Sequence, residues 1–572
     1  MKKAIALLAA CFMALPWLAS CGGNGGEQTI ESAAIPISGG ERRTLSVGVT
    51  SNGRGETNPE IGNEYIDDNW SIDFIRKEWA EPNNVDLKIQ IIDDTNGAYL
   101  QNYQLLLASR TAPDLYHISV GEGTAFAKKL AIDGGLADLT APLREYGQVV
   151  YDVLGREHVE KWGRLTGTDQ IFAVPGLEPI PAISHYWIRV DWLETLGLEM
   201  PTTFEQWYDT MKAFKERADE LEAAGRVESA AAVIPYAMYH TRWFTPWERI
   251  VDRFRPAETF EEQNFEYFQA GYGVAYAKPG FREGMAFVNQ MYLDGLISPN
   301  FAIDTNDEQY ERDIMAGNAG SYCTNLFNGW NPADPNSWHN VAAANIPGAE
   351  FEYCDPFTNK YDGVRRNPLD DVVLNWSIVP VFSDAADLAV QYLSFTNTEK
   401  NTLTILYGEE GVTFDFVEGL GPIYYPVEKR VENGFLHRLG GGELNKICRL
   451  PNQDWSIIRR SNATTTEQAQ YALRIYNSII VNGYQRFPIQ LAGNDAKAEY
   501  EGTLLDPWQK FLSDCIMATA GNFDSVYMNG VKELEASGSQ IILDGALQLW
   551  NDSLRAEMNG NEFTGHNGIQ DN

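Results

Sequence analysis

The side chains that could do chemistry in this chain are mainly carboxylates and aromatic rings. The 572 residues include 79 Asp and Glu but only 7 His, which are scattered. Neighbouring carboxylates such as Asp67–Asp68, Asp93–Asp94 and Glu409–Glu410 arise by chance at this density, and no G-x-S-x-G or H-E-x-x-H motif accompanies them. The segment GEGTAF (121–126) lacks the full phosphate-loop pattern. These observations argue against an enzyme.

The segment YHTRWFTPWERI (239–250) combines rings with planar polar groups. Rings offer stacking faces to a ligand, and groups such as those of Arg242 and Glu248 offer hydrogen bonds. The segment does not follow one amphipathic helix face, so Trp243 and Trp247 are candidates for ligand contact. Plain core packing is the alternative for both rings.

Strands that alternate with helices must position these groups. TLSVGVT (44–50), VDLKIQIID (85–93) and PDLYHIS (113–119) are typical of strands, with helices predicted near Trp70 to Trp79 and over LQNYQLLLASR (100–110). This order predicts a parallel or mixed sheet with helices on both faces. Ligands of such sheets bind outside the carboxyl ends of the strands, where we expect His117.

One helix start is marked in MPTTFEQWYDTMKAFKE (200–216). Thr202 and Glu205 have the spacing of a capping box. Phe204, Trp207, Met211 and Phe214 then recur at helical spacing, which predicts a core-facing stripe.

The N-terminus has the pattern of an export signal. Lys2 and Lys3 precede an apolar run that ends in small residues before Cys21. LASC (18–21) resembles the lipobox of bacterial lipoproteins, which implies cleavage before Cys21 and its modification with lipid (palmitate). The predicted boundaries are a signal peptide at 1–20 and a flexible tether at 21–43, which would leave the protein anchored to a membrane without spanning it. An ordinary signal peptide with an incidental cysteine is the alternative.

The charge of the chain excludes some partners. The formal net charge of −35 disfavours nucleic acid and anionic lipid as partners.

The composition is that of a globular protein with two or more cores. Cys323, Cys354, Cys448 and Cys515 show no C-x-x-C spacing, so a zinc site is not expected, and disulfides or free thiols remain open.

Several motifs together resemble the extracellular solute-binding lipoproteins of bacterial ABC importers, in their large carbohydrate-binding branch. They are APDLYHIS (112–119), GGLADLT (134–140), IFAVPG (171–176), RVDWLETLGLEMPTTFEQW (189–207), YLDGLISPNF (292–301), IMAGNAGSY (314–322), YGEEGVTF (407–414) and FDSVYMNGVKELEASG (523–538). The resemblance implies an α/β, two-lobed periplasmic-binding-protein-like fold (type II) with a cleft between hinged lobes. It places lobe 1 at 44–175 and 366–425, and lobe 2 at 176–365 and 426–572.

The resemblance also adds candidate ligand-binding residues. NLFNGWNP (325–332) follows the AGNAG motif, where sugar-binding relatives present a ring to the cleft, so Trp330 is a candidate ring. Asn325 could supply a hydroxyl contact there, with a turn as the alternative. Trp376 interrupts a buried strand pattern near the expected hinge, where packing between the lobes is the alternative to solute contact. Arg189 stands where the family has a polar residue near the cleft, with Asp191 expected to cap the next helix. Independently of the resemblance, the segments GPIYYPVEKR (421–430) and PNQDWS (451–456) add Tyr424 and Trp455 as further candidates.

A calcium loop of some relatives is not matched here. In ERADELEAAGRVESAAAVIPY (216–236), Ile234 and Pro235 remain but the alternating oxygen ligands do not. We therefore expect no calcium there, and no metal or cofactor elsewhere.

The resulting expectation is a monomeric, lipid-anchored receptor on the extracytoplasmic face of a cell membrane. It would capture a carbohydrate, an oligosaccharide, and deliver it to the permease subunits of an ABC transporter. The alternatives are a binding protein for a peptide or other small solute, a receptor that feeds a sensor, and, with least support, a surface glycan-active enzyme. The sugar, its linkage and the membrane that carries the anchor stay open.

Overall fold

The computed structural model describes residues 41–51, 67–95, 98–119, 122–165, 168–177, 184–239, 246–256, 262, 265, 273–304, 308–325, 327, 329–365, 367–368, 373–439, 444, 447, 452–480, 483–484 and 495–554. Its strands are β1 (Arg43–Thr50), β2 (Val85–Ile92), β3 (Tyr116–Ser119), β4 (Ala173–Leu177), β5 (Ser184–Arg189), β6 (Ile234–Tyr236), β7 (Ala319–Asn325), β8 (Phe351–Tyr353), β9 (Asn367–Pro368), β10 (Val373–Ile378), β11 (Phe414–Val417), β12 (Gly421–Tyr424) and β13 (Gly483–Tyr484).

The helices are α1 (Trp70–Ile75), α2 (Tyr99–Ala108), α3 (Glu122–Ile132), α4 (Thr140–Tyr146), α5 (Gln148–Leu154), α6 (Arg156–Gly163), α7 (Val190–Leu196), α8 (Phe204–Glu216), α9 (Ala218–Ala223), α10 (Glu248–Asp252), α11 (Phe281–Leu293), α12 (Glu308–Met315), α13 (Trp338–Asn345), α14 (Ala386–Thr396), α15 (Glu399–Tyr407), α16 (Val427–Glu432), α17 (Gln453–Arg460), α18 (Thr466–Ile480), α19 (Asp495–Ile516), α20 (Phe523–Ala536) and α21 (Ser539–Leu549). Helices α1 and α21 continue into π-helical turns, Arg76–Ala80 and Trp550–Leu554.

The first sheet contains strands that are far apart in the chain. β1 pairs with β2 in parallel, and a parallel bridge from Val47 to Leu115 connects β1 to the segment that leads into β3. β10 lies between β3 and β4 and is antiparallel to both. The order is therefore β2-β1-β3-β10-β4, with β10 the reversed strand.

The second sheet has the order β6-β7-β5-β8. β7 is antiparallel to β5 and parallel to β6, while β8 is antiparallel to β5 on its other side. A parallel bridge between Tyr236 and Ile297 extends the β6 edge.

Each sheet has a buried apolar cluster on either face. One cluster of the first sheet joins β1 and β2 to α1, α5 and α14, and it also includes Leu444 and Ile447. The largest cluster of the second sheet joins α8 and α11 to the C-terminal helices α19, α20 and α21. The predicted α/β two-lobed fold class agrees with this arrangement of two sheets, each with its own core. The exact lobe boundaries remain a prediction.

The capping residues differ from the sequence prediction. The N-cap of α8 is Thr203, whose side chain accepts from the Gln206 backbone N–H in a capping box with Gln206, so Thr202 and Glu205 are not the pair. Asp191 does not cap α7, because Arg189 is the N-cap and Asp191 lies inside the first turn. The pattern T-T-F-E-Q offers two overlapping capping boxes, and only side-chain geometry distinguishes them.

Three cysteines are free and buried, namely Cys323, Cys354 and Cys515. Burial raises the pKa of the Cys323 and Cys515 thiols to about 12, which keeps both protonated. Cys448 lies outside the described residues. Within the described ranges, no helix is long and apolar enough to cross a membrane.

Candidate functional site

Strand directions identify the edge of each sheet at which the chain crosses from the first sheet to the second, and these two edges are here called the facing edges. The chain leaves the first sheet at the carboxyl end of β4 and enters the second at the amino end of β5. Because β1, β2, β3 and β4 run the same way, their carboxyl ends share that edge. In the second sheet the amino end of β5 shares an edge with the carboxyl ends of β6, β7 and β8. This pair of edges is the candidate binding site.

Aromatic rings extend from the second-sheet edge. Trp330 follows β7 and is half-buried, with its ring centroid 5.6 Å from that of buried Phe327 and 5.0 Å from that of Tyr471 on α18. Trp330 packs on these neighbours through part of its surface and keeps the rest accessible, and its contact with a solute stays a prediction.

Polar groups adjoin this ring. The Tyr471 hydroxyl donates to a Glu352 carboxylate oxygen at 2.9 Å, and Arg474 lies 3.6 Å from the same oxygen. Burial, followed by the charge of Glu352, raises the pKa of Tyr471, so its phenol stays a hydrogen-bond donor. An indole beside a carboxylate, a phenol and a guanidinium offers stacking together with donors and acceptors for hydroxyls. Tyr471 and Glu352 are not among the residues predicted from the sequence, because they lie 141 and 22 positions from Trp330 in the chain.

The first-sheet edge carries a polar network around Asp93 and Asp94, a pair that arises by chance as far as the sequence alone indicates. At the ends of β1 and β2, the Ser51 hydroxyl donates to Asp93 at 3.3 Å and accepts from the Asp94 backbone N–H at 2.8 Å. The Thr95 hydroxyl donates to Asp93 at 2.7 Å. Hydrogen bonds from Thr95 lower the pKa of Asp93, which therefore stays ionised as an exposed acceptor at this edge.

Arg189 is not at the edge. Its guanidinium is fully buried and forms a double hydrogen bond with Asp191, both at 2.7 Å, and it also donates to the carbonyls of Gly317 and Arg226. These partners occupy the donors that a solute would need. The sequence prediction of a ligand contact here is corrected to a structural role, since Asp191 provides the compensating charge inside the fold.

Three other predicted site residues also lie in the interior. Trp247 is 3 % exposed and packs edge-on against Phe281. Trp376 is 3 % exposed in β10 and stacks on Phe172 with ring centroids 5.9 Å apart. His117 is buried, with Nδ1 2.7 Å from the Ser377 hydroxyl. Contact of these three with a solute remains a prediction that this arrangement of the lobes does not support.

Tyr424 and Trp455 form a separate group on the β11–β12 hairpin and α17. Arg459 donates to the Tyr424 hydroxyl at 2.7 Å and lies over the rings of Tyr407 and Tyr424. Trp455 contacts Phe416 edge-on at 5.2 Å. Neither residue is on the two facing edges. Trp243, Cys21 and the side chain of Asn325 lie outside the described residues, although the backbone of Asn325 ends β7 at the edge.

The segment that replaces the calcium loop forms helix α9 and its surroundings. Glu220 forms an ion pair with Arg217 at 2.7 Å, and Glu222 accepts from the Ala230 backbone N–H at 2.7 Å. In the part of the chain that the structure describes, no group of three or more His, Cys, Asp or Glu could hold a metal ion. The absence of calcium binding remains a prediction.

Solved structures align with nearly the whole chain. The alginate-binding protein AlgQ2 without calcium ion has a TM-score of 0.57 at 18% identity, covering 89% of this chain and 98% of that one. An HMO binding ABC-transporter associated solute-binding protein from Bifidobacterium longum infantis has a TM-score of 0.59 at 14% identity, covering 89% and 99%. The S. pneumoniae ABC-transporter substrate binding protein FusA in complex with kestose has a TM-score of 0.58 at 15% identity, covering 90% and 100%. The chain has the fold of the ABC-transporter solute-binding proteins. The fold class predicted from the sequence is thereby confirmed.

A curated protein is similar in sequence to part of the chain. Lipoprotein LipO of Bacillus subtilis (strain 168) is 23% identical over 281 residues, which are 44% of this chain and 53% of LipO. The chain thus matches about half the length of that curated relative. No protein-family model matches the chain.

Proposed function

We propose that this protein is a lipid-anchored receptor that binds an oligosaccharide between its two lobes and delivers it to an ABC permease. The observation that supports the proposal is the half-buried indole of Trp330, which follows β7 in the chain and packs on Tyr471, whose hydroxyl donates to Glu352. Solute contacts from both lobes would favour a closed arrangement over an open one.

The titles of the structural neighbours support the carbohydrate class. They name alginate, HMO and kestose as what those proteins bind or hold. The net charge of −35 favours a neutral glycan over a polyanion such as alginate. Anchoring through Cys21 is supported by the lipobox pattern and by the lipoprotein name of the relative in Bacillus subtilis.

The test is a binding screen on the mature chain with Cys21→Ser, which keeps the protein unanchored. Tryptophan fluorescence and thermal unfolding would be followed with kestose, maltotetraose and xylotetraose, and with a tetrapeptide mixture as the comparison. A sugar present at 100 times its Kd should add about 2.7 kcal/mol to the free energy of unfolding. The sugar recovered afterwards should be intact. A response to peptides alone would contradict the carbohydrate assignment, and consumption of the sugar would indicate an enzyme.

A further inference from the structure

A groove outside the two facing edges runs between α1 with its π-helical turn and α15, and the loop 408–414 closes one end. Its volume is about 600 Å³, which is within the range of small-molecule binding sites. None of the residues that line it belongs to the facing strand edges described above.

The floor of the groove is aromatic and aliphatic. Trp70 and Phe74, one helical turn apart on α1, are both half-buried, and their rings are nearly parallel at 9° with centroids 6.1 Å apart. Phe435 packs edge-on against Trp70 at 5.6 Å and holds the indole in place. Leu403 and Phe414 complete the floor. Such rings present faces on which the C–H surface of a sugar can stack.

The closing loop is the YGEEGVTF motif, which the receptor function does not explain. Gly408 has φ +84°, and a Cβ there would meet the Thr413 hydroxyl at 2.7 Å, so glycine is required. The buried Thr413 hydroxyl accepts from the Glu409 backbone N–H at 2.8 Å and donates to the Tyr407 carbonyl. The backbone of Glu409 is therefore fixed, with exposed Glu409 and Glu410 at the rim of the groove.

The rim carries charges of both signs. Lys77 and Lys400 contribute ammonium donors, with Lys77 3.4 Å from the Glu78 carboxylate, and the carboxylate acceptors are those of Asp73, Glu78, Glu409 and Glu410. A polyanion or a polycation would meet like charges on this rim, whereas a neutral hydroxyl group can donate to the carboxylates and accept from the lysines.

We propose that this groove is a second binding site for a neutral oligosaccharide, with Trp70 and Phe74 as the stacking surface and Glu409 and Glu410 as hydroxyl acceptors. The ligand class rests on the proposed function, but the site is separate from the cleft. A chain with two sites could hold one glycan on its outer surface while another occupies the cleft, which raises the local sugar concentration near the membrane.

The test uses the full mature chain with Cys21→Ser, labelled with 5-fluorotryptophan, and kestose, maltotetraose and xylotetraose as probes. Trp70→Leu removes the stacking ring of the groove, and Trp330→Leu is the matched variant in the cleft. Glu409→Gln with Glu410→Gln removes two rim charges on an exposed loop, so it tests the groove without touching the core. Titration calorimetry gives the number of sites, and the fluorine signals of Trp70 and Trp330, assigned through the two variants, locate them.

We expect two sites per chain for at least one probe. Trp70→Leu and the double glutamine variant should weaken one site by about tenfold or more and leave the other unchanged. Trp330→Leu should do the reverse. If sugar binds at one site, moves only the Trp330 signal and binds equally well to the Trp70→Leu variant, the proposed groove site is wrong and the proposed receptor function is still supported. Binding that moves only the Trp70 signal would support the groove and contradict the cleft, and no binding of any probe would overturn both.

Discussion

The indole of Trp330 lies against the phenol ring of Tyr471, with ring centroids 5.0 Å apart and ring planes inclined by 47°. Trp330, in the loop after β7, and Tyr471, on α18, thus meet at the facing edge of the second sheet. The contact orients the indole and leaves part of it free for a solute.

Replacement of this ring should reduce solute affinity. We expect Trp330→Ala to weaken sugar binding about tenfold or more. The variant loses the stacking of the indole on the sugar, and each loss of about 1.4 kcal/mol in binding free energy raises the Kd tenfold. Trp455→Ala is the matched control, since it removes a half-buried indole away from both edges. Fluorescence titration measures both. Equal losses in the two variants would contradict the proposed position of the site.

Arg189 should be important for stability and unimportant for affinity. Arg189→Met leaves Asp191 buried without its partner, which costs about 3–5 kcal/mol in the free energy of unfolding. Arg189→Met combined with Asp191→Asn should cost less than the sum of the single changes. Urea denaturation gives the free energies, and titration of the folded fraction gives the affinity. A lower affinity at unchanged stability would restore Arg189 as a ligand-binding residue.

His339 should make stability depend on pH. Burial, and then the charge of Arg189, lowers the pKa of His339 to about 3 in the folded chain, against an ordinary value of 6.5. Its Nε2 lies 2.5 Å from the Tyr322 hydroxyl, and its ring stacks on Phe351. Below pH 6.5 the imidazole of His339 binds a proton in the unfolded chain but not in the folded chain. Its contribution to the free energy of unfolding is therefore complete above pH 6.5 and is lost as the pH falls towards 3.

The His339 contribution can be isolated by substitution. His339→Gln should reduce the slope of the free energy of unfolding between pH 6.5 and 4 by up to about 1.4 kcal/mol per pH unit. His158, whose pKa burial lowers to about 4, should account for part of the slope that remains. His437→Gln is the control on an exposed loop. Urea denaturation at several pH values checks the result, and an unchanged slope in His339→Gln would refute it.

Gly421 should not tolerate a side chain. Its φ is +102°, and a Cβ would lie 2.2 Å from Nε1 of Trp455. Gly421→Ala introduces both this clash and backbone strain. Together they should lower the free energy of unfolding by about 2–5 kcal/mol. Gly419→Ala, with φ +78° and no atom within 4 Å of the added Cβ, should cost only about 1–2 kcal/mol. Thermal unfolding of the two variants separates the clash from the strain, and equal costs would mean that Trp455 moves aside freely.

The local elements could be predicted from apolar periodicity, whereas their assembly into two lobes was predicted only through the family resemblance. The strand over TLSVGVT and the helix with Trp207 and Met211 follow from apolar periodicity, which is a local property. The partner of β3 is β10, more than 250 positions away, and no pattern in either strand specifies that pairing.

The site was predicted only in part for the same reason. Trp330 follows a motif that resembles the family, so its place at the edge could be expected. Tyr471 and Glu352 come from distant segments and became visible only in the fold. Arg189 was misjudged because its sequence position indicates the neighbouring edge, whereas its burial depends on carbonyls of Gly317 and Arg226.

The place of β10 between β3 and β4 determines when the first lobe can fold. Synthesis from the amino end makes β3 and β4 available long before β10, and until then the two strands lack the partner that they share in the folded chain. The ion pair of Arg43 with Asp387 likewise cannot form until a residue 344 positions later in the chain is available. Contacts of such separation slow folding. The newly synthesised chain therefore has open strand edges until β10 is available, and its tendency to aggregate before it folds should exceed that of a chain whose lobes are contiguous.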